Sequence, residues 1–208
     1  MKATRYITYL NGAAVLLICL FGREILHYWM GPDFSAAAYW VMVFISIALF
    51  FDSISTLPSL VNDAFGRPRN TGVFAILRAG VAVALTFLFV PSQSISVVAS
   101  AQTIAAVVMV LTFVVFIHRR SLPWTVTEVF QEGWLIPFSV LTTITVVVAT
   151  ARPSGVLSVL EMSLGLTVSA LFLASAGAIF VLEREDRIAI MRWLRGLRRN
   201  AIGHRHLP

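Results

Sequence analysis

A run of forty residues without a charged side chain, from Ala79 to His118, constrains this chain more than any other feature. As one helix it would be about 60 Å long, twice the roughly 30 Å thickness of a bilayer's hydrocarbon core. The run therefore predicts two helices that fold back on each other. The turn is expected at residues 91–94, because proline removes a backbone donor and the polar Ser-Gln-Ser sequence favours a turn.

The composition excludes a water-soluble domain. Of the 208 residues, 58% are apolar and 12% are charged, and the mean hydropathy is +0.85. Soluble domains carry about 45–50% apolar and about 25% charged residues. The net charge of +6 comes from Lys and Arg clustered at the ends of apolar runs, which favours a membrane surface over nucleic acid. The single cysteine, Cys19, lies inside an apolar run and excludes a disulfide framework and a thiol metal site.

Six segments of the sequence are long and apolar enough to cross a membrane, at roughly 20 residues per crossing. They are apolar on nearly every face, whereas a surface helix of a soluble protein carries one apolar stripe. We therefore predict an all-α, polytopic membrane protein: a bundle of six transmembrane helices within residues 1–182. The predicted spans are about 6–22, 34–60, 73–90, 95–117, 133–151 and 156–182.

Lys and Arg are divided unequally between the two sides of such a bundle. With Arg78 set aside as intramembrane, thirteen fall on the side of the termini, and two, Arg23 and Arg152, fall on the other. Short cytoplasmic loops carry the excess of positive charge, so we predict that both termini are cytoplasmic. The basic start resembles a signal peptide, but no small-residue cleavage pattern follows it, and we expect a retained first helix.

The segment 183–208 has a different pattern from the spans. Apolar residues cover one side of its helical wheel and arginines cover the other, which predicts a basic amphipathic helix on the anionic inner leaflet. A charge cluster that only fixes topology is an equal alternative. The apolar residues are Ile188, Ile190, Met191, Trp193, Leu194 and Leu197, and the basic residues are Arg192, Arg195, Arg198 and Arg199.

A polar stripe runs along the second predicted helix. Its members stand at i, i+3, i+4, i+7, i+10 and i+11, so all of them share one helical face. They are Asp52, Ser55, Thr56, Ser59, Asn62 and Asp63. Two interpretations are open: the stripe faces a hydrophilic cavity inside the membrane, or this segment has left the bilayer and is solvated by the cytoplasm. Pro58 lies within the stripe and favours a kink or hinge.

Arg78 is the second candidate site residue. It lies about 8 Å along the axis from Val73, where the third predicted span begins. Its side chain either snorkels back to the cytoplasmic surface or points into a central cavity. In a cavity its planar guanidinium suits a phosphate or a carboxylate, and Asp52 or Asp63 would pair with it in the absence of ligand. Arg78 and the polar stripe together form the candidate substrate site.

The sequence contains no motif of a soluble active site: no Gly-rich phosphate loop, no His and carboxylate pair at ligand spacing and no nucleophile elbow. A membrane enzyme, such as a glycan polymerase or an acyltransferase, would need acid, base or His groups converging in a sizeable external loop. The largest predicted loop, 119–132, is cytoplasmic and offers only Glu128 and Glu132. We therefore expect no enzyme, no cofactor and no bound metal, and we look to intramembrane polar groups instead.

Two stretches carry a family resemblance. Residues 21–34 read Phe-Gly-Arg-Glu-Ile-Leu-His-Tyr-Trp-Met-Gly-Pro-Asp-Phe and continue with Ser-Ala-Ala-Ala, and residues 62–69 read Asn-Asp-Ala-Phe-Gly-Arg-Pro-Arg. Over about residues 4–117 the chain resembles the C-terminal half of the polysaccharide flippases, the O-antigen and exopolysaccharide translocases of the multidrug, oligosaccharidyl-lipid and polysaccharide exporter superfamily. Trp29, Gly31 and Phe34 match its apolar-Trp-x-Gly-x-x-Phe loop, and Gly66 and Arg67 match its Gly-Arg segment.

The resemblance implies a transporter of about 12 to 14 spans in two lobes, which moves a lipid-linked oligosaccharide across a bacterial plasma membrane by alternating access. Basic residues in the family's cavity are thought to hold the lipid pyrophosphate, and the resemblance makes Arg78 the candidate for that role in this chain. The chain departs from the family at Ser94, Val97 and Ala101, where glycines are usual.

The first lobe of the family is absent from this sequence. One lobe supplies one wall of a cavity, so we expect a fragment of a longer reading frame or a half-transporter that pairs with a second membrane chain. The expected partners are membrane lipids, a lipid-linked oligosaccharide and the missing N-terminal lobe or that second chain. The alternatives are a small-molecule or drug exporter lobe of the same superfamily and a non-transporting membrane subunit that packs against partners.

Overall fold

The computed structural model describes residues 2–89, 94–120, 125–151 and 157–183, together with residues 185, 186 and 188. Every regular element in these ranges is helical, and six helical segments are long and apolar enough to cross a membrane. The predicted fold class is confirmed. The helices are α1 (Lys2–Met30), α2 (Pro32–Ala64), α3 (Pro68–Phe89), α4 (Ile95–Arg120), α5 (Val126–Glu128), α6 (Ile136–Ala151) and α7 (Val159–Ala176).

Two segments of π-helix extend these helices. Val129–Leu135 joins α5 to α6, so that the fifth membrane-crossing rod runs over Val126–Thr150. Gly177–Val181 continues α7, and the sixth rod runs over Val159–Val181. The wider π turn shifts the backbone hydrogen-bond pattern by one residue and changes the direction in which the following side chains point.

The first two helices are longer than a membrane crossing requires. α2 has 33 residues and is about 50 Å long, against a hydrocarbon core of roughly 30 Å. The predicted spans 6–22 and 34–60 lie inside α1 and α2. A charge-free run marks the part of a helix that suits lipid, whereas the backbone hydrogen bonds continue into the polar zone beyond it.

The prediction of a loop over residues 119–132 is wrong for most of these residues. α4 continues through Arg120, and helical structure resumes at Val126. A capping box begins this helix. The Thr125 side chain accepts a hydrogen bond from the Glu128 backbone N–H, and the Glu128 carboxylate accepts one from the Thr125 backbone N–H. This local signal starts a helix in a segment whose hydropathy alone gave no reason to expect one. Residues 121–124 lie outside the described ranges.

Glycine and proline make the two short turns that precede α2 and α3. Gly31 has φ +95° and Gly66 has φ +73°, a left-handed conformation that other residues rarely adopt. Pro32 and Pro68 then begin α2 and α3, where a missing backbone N–H costs no helical hydrogen bond. These turns fold α1, α2 and α3 into consecutive antiparallel neighbours.

α1 is the central helix of the bundle. It packs along α2 on one side and against α6 and α7 on the other, while α2 packs on α4, and α4 packs on α3. One apolar core lies between α1, α6 and α7, and a second lies between α2, α4 and the segment Val129–Leu135. The first core includes Leu16, Leu20, Phe21, Ile144 and Leu173, and the second includes Phe50, Ile54, Val114, Ile117 and Trp134.

Three hydroxyl groups tie neighbouring helices together through backbone carbonyls. Tyr9 Oη donates to Leu173 at 2.6 Å, Tyr39 Oη donates to Cys19 at 2.7 Å and Thr103 Oγ1 donates to Phe44 at 2.8 Å. Such bonds are useful inside a membrane, where lipid offers no partner for a hydroxyl group. They link α1 to α7, α2 to α1, and α4 to α2.

The beginning of α1 and the end of the sixth rod lie together. Lys2 Nζ is 2.6 Å from Glu183 Oε2, and the Tyr6 hydroxyl donates to the Asp186 carboxylate. Both ends of the described bundle are therefore on the same side, as an even number of crossings requires. That this side is cytoplasmic stays a prediction, and most of the predicted amphipathic helix, from residue 189 onward, lies outside the described residues.

The contact between Gly177 and Tyr9 predicts a large effect of substitution at this glycine. A Cβ at Gly177 would lie 2.5 Å from the ring of Tyr9, which is buried in the first core. We expect Gly177→Leu to destabilise the chain by about 1–3 kcal/mol through overpacking. Gly80→Leu is the matched control, because nothing lies within 4 Å of its Cβ position.

The test is detergent unfolding of the purified chain followed by helical circular dichroism. Equal unfolding of both glycine variants and wild type would contradict the packing of Tyr9 against this π segment.

Candidate functional site

The hydroxyl groups of the polar stripe are bonded within their own helix. Ser55 Oγ donates to the carbonyl of Asp52 at 2.8 Å, Thr56 Oγ1 donates to the same carbonyl at 3.3 Å, and Ser59 Oγ donates to that of Ser55 at 2.8 Å. This back-bonding lets Ser and Thr enter an apolar helix without an unpaired donor. Their oxygens keep free lone pairs, so they can still accept from water or a ligand.

Arg78 and Asp52 form a bidentate ion pair between α3 and α2. Arg78 Nη2 donates to Asp52 Oδ2 at 2.8 Å, and Nη1 donates to Oδ1. The planar fork of the guanidinium matches the two carboxylate oxygens, which is the strongest geometry for such a pair. Asp52, and not Asp63, is the counter-ion of Arg78.

The ion pair lies far from the ends of both helices. Asp52 is about 18 Å along α2 from Ala64, and Arg78 is about 15 Å along α3 from Pro68. α3 has 22 residues and is about 33 Å long, so Arg78 lies close to its midpoint. If α3 crosses the bilayer, the two charges are at the depth of the hydrocarbon.

A small cavity of about 120 Å³ adjoins the ion pair, between α2, α3 and α4. α2 contributes hydroxyl groups and α4 contributes an apolar wall. At about 30 Å³ per water molecule, the volume suits a few waters or one phosphate group, and it excludes an oligosaccharide. The lining residues are Ser55, Ser59, Thr71, Phe74, Ala75, Arg78, Met109, Val110 and Phe113.

The last part of the polar stripe forms a separate cluster at the turn between α2 and α3. Asn62, fully buried, donates from Nδ2 to the Arg67 carbonyl at 2.7 Å and to Thr71 Oγ1 at 3.2 Å. Thr71 Oγ1 donates in turn to Asp63 Oδ1 at 2.7 Å. These bonds fix the turn, and through it they set which residues of α2 and α3 face each other.

The structure therefore divides the seven predicted site residues into three sets. Asp52, Ser55, Ser59 and Arg78 come together around the cavity. Thr56 is exposed and does not line the cavity, although it shares the back-bond to Asp52. The remaining two stripe residues, Asn62 and Asp63, belong to the turn cluster.

Sequence reasoning missed several polar residues that the structure buries, among them two on α1 and one on α4. Thr8 and Glu24 of α1 have 0% exposure, and His118 of α4 has 6% exposure, with Nδ1 at 2.7 Å from the Val114 carbonyl. Thr71 was also missed, although it lines the cavity and joins the turn cluster. No regular spacing marks these residues, and their burial depends on which helices pack together.

α3 is nearly bare on the side away from α4. Ala82 is the one buried residue of α3, and the Arg78 and Asp52 side chains keep 38% and 29% of their surface exposed. Arg78 shares its face of α3 with Phe74 and Ala82, which are covered by the bundle, and the charged pair is partly exposed beside the cavity between α2, α3 and α4.

The residues that carry charge or metal-ligand groups do not form a metal centre in the described ranges, since no group of three His, Cys, Asp or Glu side chains converges there. Comparison with known proteins adds no constraint: no family model, curated protein or solved structure matches the chain.

The turn cluster predicts that Asn62 and Ser59 differ in their contribution to stability. Asn62→Ala removes two hydrogen bonds of a buried amide, one to the Arg67 carbonyl and one to the Thr71 hydroxyl, and we expect a loss of about 1–3 kcal/mol. Ser59→Ala is the matched control, because it removes only a bond to the hydroxyl's own helix, and we expect a change of less than about 0.5 kcal/mol.

Thermal denaturation of the purified variants in detergent measures both losses. A loss for Ser59→Ala as large as that for Asn62→Ala would show that the cavity wall, and not the turn, holds α2 against α3.

Proposed function

We propose that this chain is one lobe of a flippase for lipid-linked oligosaccharides, in the plasma membrane of a bacterium, as its resemblance to the polysaccharide flippases implies. The observation that carries the proposal is the Arg78–Asp52 ion pair, which joins the midpoint of α3 to α2 and stays partly exposed beside the cavity. The missing wall would come from an N-terminal lobe or from a second membrane chain.

An ion pair with this exposure is costly in contact with lipid. Charged side chains within a membrane face a bundle interior or a water-filled cavity, because hydrocarbon cannot solvate them. The exposed part of the ion pair therefore favours water and a second protein wall over acyl chains. A cavity between two lobes, with the substrate site near the bilayer midplane, is the usual arrangement of transporters built from repeats.

The chemistry of the site suits the anionic end of the substrate. A guanidinium binds phosphate through two parallel hydrogen bonds, and Ser55 and Ser59 add oxygens that accept from a protonated phosphate or from water. The cavity of about 120 Å³ accepts a phosphate group alone. In this proposal the glycan lies in the larger space between the lobes, and the polyprenyl tail stays in lipid.

An exporter lobe for small apolar molecules is the second candidate, and one observation favours it. Two cavities of about 470 and 380 Å³ lie between α6 and α7 and are lined mainly by apolar side chains. Such volumes are typical of drug-sized ligands. A subunit that only packs against partners is less well supported, because packing alone gives no role to a partly exposed ion pair.

Removal of the arginine tests the flippase proposal. Arg78→Ala in the complete transporter should abolish display of the glycan at the cell surface while leaving membrane insertion unchanged, because the anionic head group loses its bidentate partner. Arg69→Ala is the matched control: it removes the same charge from an exposed position of α3 outside the cavity, and display should persist.

Glycan display is measured by surface lectin or antibody labelling, and insertion by membrane fractionation. Normal display by Arg78→Ala would remove Arg78 from the site and with it the proposal. Loss of drug efflux with normal display would instead favour the exporter.

A further inference from the structure

A cavity of about 470 Å³ lies between α1, α6 and α7, and it shares no lining residue with the cavity at Arg78. We call it the α7 cavity. Its walls are apolar, with Phe21 of α1, Val147 of α6 and Phe172 of α7 among them, and Glu161 and Ser169 are the two polar residues that line it. A dry apolar cavity of about 150 Å³ holds the six carbons of benzene, so the α7 cavity suits about eighteen carbons.

The α7 cavity has the depth of one leaflet of a bilayer. Its lining residues on α7 extend from Glu161 to Phe172, about 16 Å along the helix axis. Half of the hydrocarbon core is about 15 Å. A separate cavity of about 380 Å³ follows on the other side of Phe172. A ligand of the α7 cavity is therefore matched in length to a lipid of a single leaflet.

The width of the α7 cavity excludes a helix from a partner protein. A volume of about 470 Å³ over a length of about 16 Å corresponds to a mean cross-section of about 30 Å². A helix with its side chains is about 10 Å wide and needs about 80 Å². A single hydrocarbon chain, which is far thinner than a helix, fits this space.

Glu161 lies at the end of the α7 cavity that is nearest to the membrane surface. It is in the first turn of α7, at the beginning of a rod of 23 residues that is about 34 Å long and just exceeds the hydrocarbon core. Interfacial aromatic residues lie beside it: Tyr28 Oη donates to the carbonyl of Leu157, which lines the cavity, and Trp29 is exposed. Tyr and Trp are enriched at the level of the lipid head groups.

The Glu161 carboxylate has bonding capacity beyond its capping box. Oε2 accepts from the backbone N–H and from the hydroxyl group of Ser158, both at 2.8 Å. Within the described residues, Oε1 accepts no hydrogen bond, and no Lys or Arg side chain forms an ion pair with Glu161. The side chain is exposed. The surface end of the cavity therefore presents a negative charge that a cationic group can reach.

We propose that the α7 cavity binds a phospholipid with an ammonium head group, such as phosphatidylethanolamine, with one acyl chain between α6 and α7 and the ammonium against Glu161. A hydrocarbon chain needs no hydrogen bonds, which matches the apolar walls, and an ammonium group supplies three donors to the carboxylate. All phospholipids carry a phosphate, so the amine is the group that a carboxylate distinguishes. The inference does not depend on the proposed function of Arg78.

Competition between two lipids tests the contact with the head group. The purified 208-residue chain is equilibrated in mixed micelles with equal amounts of phosphatidylethanolamine and phosphatidylglycerol that have identical acyl chains. Native mass spectrometry then gives the ratio of the two lipids that the protein retains. We expect Glu161→Gln to lower this ratio about fivefold, because the amide keeps the capping box but lacks the charge.

Glu128→Gln is the matched control for the head group. Glu128 forms the same kind of capping box, with Thr125, and lines neither cavity between α6 and α7. The ratio of retained lipids should equal that of wild type.

Val168→Trp tests the acyl chain. Val168 lines the α7 cavity from an exposed position, so a larger ring can fill the cavity without entering the core. We expect this variant to lose the retained lipid with either head group. Leu171→Trp is the matched control, because Leu171 is exposed and lines neither cavity, and it should retain lipid. Helical circular dichroism confirms that both variants are folded.

Two results would overturn the inference. An unchanged lipid ratio in Glu161→Gln would exclude the ammonium contact, and equal lipid retention by folded Val168→Trp and Leu171→Trp would exclude the acyl site. Neither result bears on the proposed function of Arg78, since the two cavities share no lining residue.

Discussion

The cost of placing a charge inside a membrane is the constraint on which the rest of this structure depends. Arg78 is near the midpoint of α3, so α2 must bring Asp52 to the same level. The turn at Gly66, held by Asn62, sets that register. The polar stripe follows the same rule, since its hydroxyl groups find acceptors on the helix that carries them.

Much of the fold follows from the sequence because membrane insertion leaves few choices. A charge-free run long enough to cross the bilayer as a helix predicts a membrane-spanning helix. Lipid offers no hydrogen-bond partners, so the backbone N–H and C=O groups of such a segment must bond to each other. Helix ends were harder to predict, since hydropathy does not report them. The capping box of Thr125 and Glu128 starts a helix in a segment that hydropathy assigned to a loop.

The candidate site was predictable in part: the sequence indicated Arg78 and the polar stripe, but not Thr71 and not which stripe residues surround the cavity. Spacing places the stripe on one face of α2, yet it cannot distinguish Asp52 from Asp63 as the partner of Arg78. In an antiparallel pair, residues equally far from the turn meet, and Asp52 and Arg78 both lie 13 residues from Phe65. The position of the turn is set to a single residue by the positive φ of Gly66 and the hydrogen bonds of the buried Asn62. These depend on the folded structure and cannot be obtained from residue spacing.

The central claim is that the cavity beside the ion pair contains water and lies within the membrane. Thiol labelling in vesicles, on a Cys19→Ser background, tests it with a charged, membrane-impermeant reagent. Ser55→Cys places a thiol in the cavity wall. Ile76→Cys places one at the depth of Arg78 on the opposite side of α3, where the Ile76 side chain is 73% exposed. We expect labelling at position 55 and protection at position 76. Labelling of both would place the pair in bulk solvent, and protection of both would show a dry contact; either result contradicts the claim.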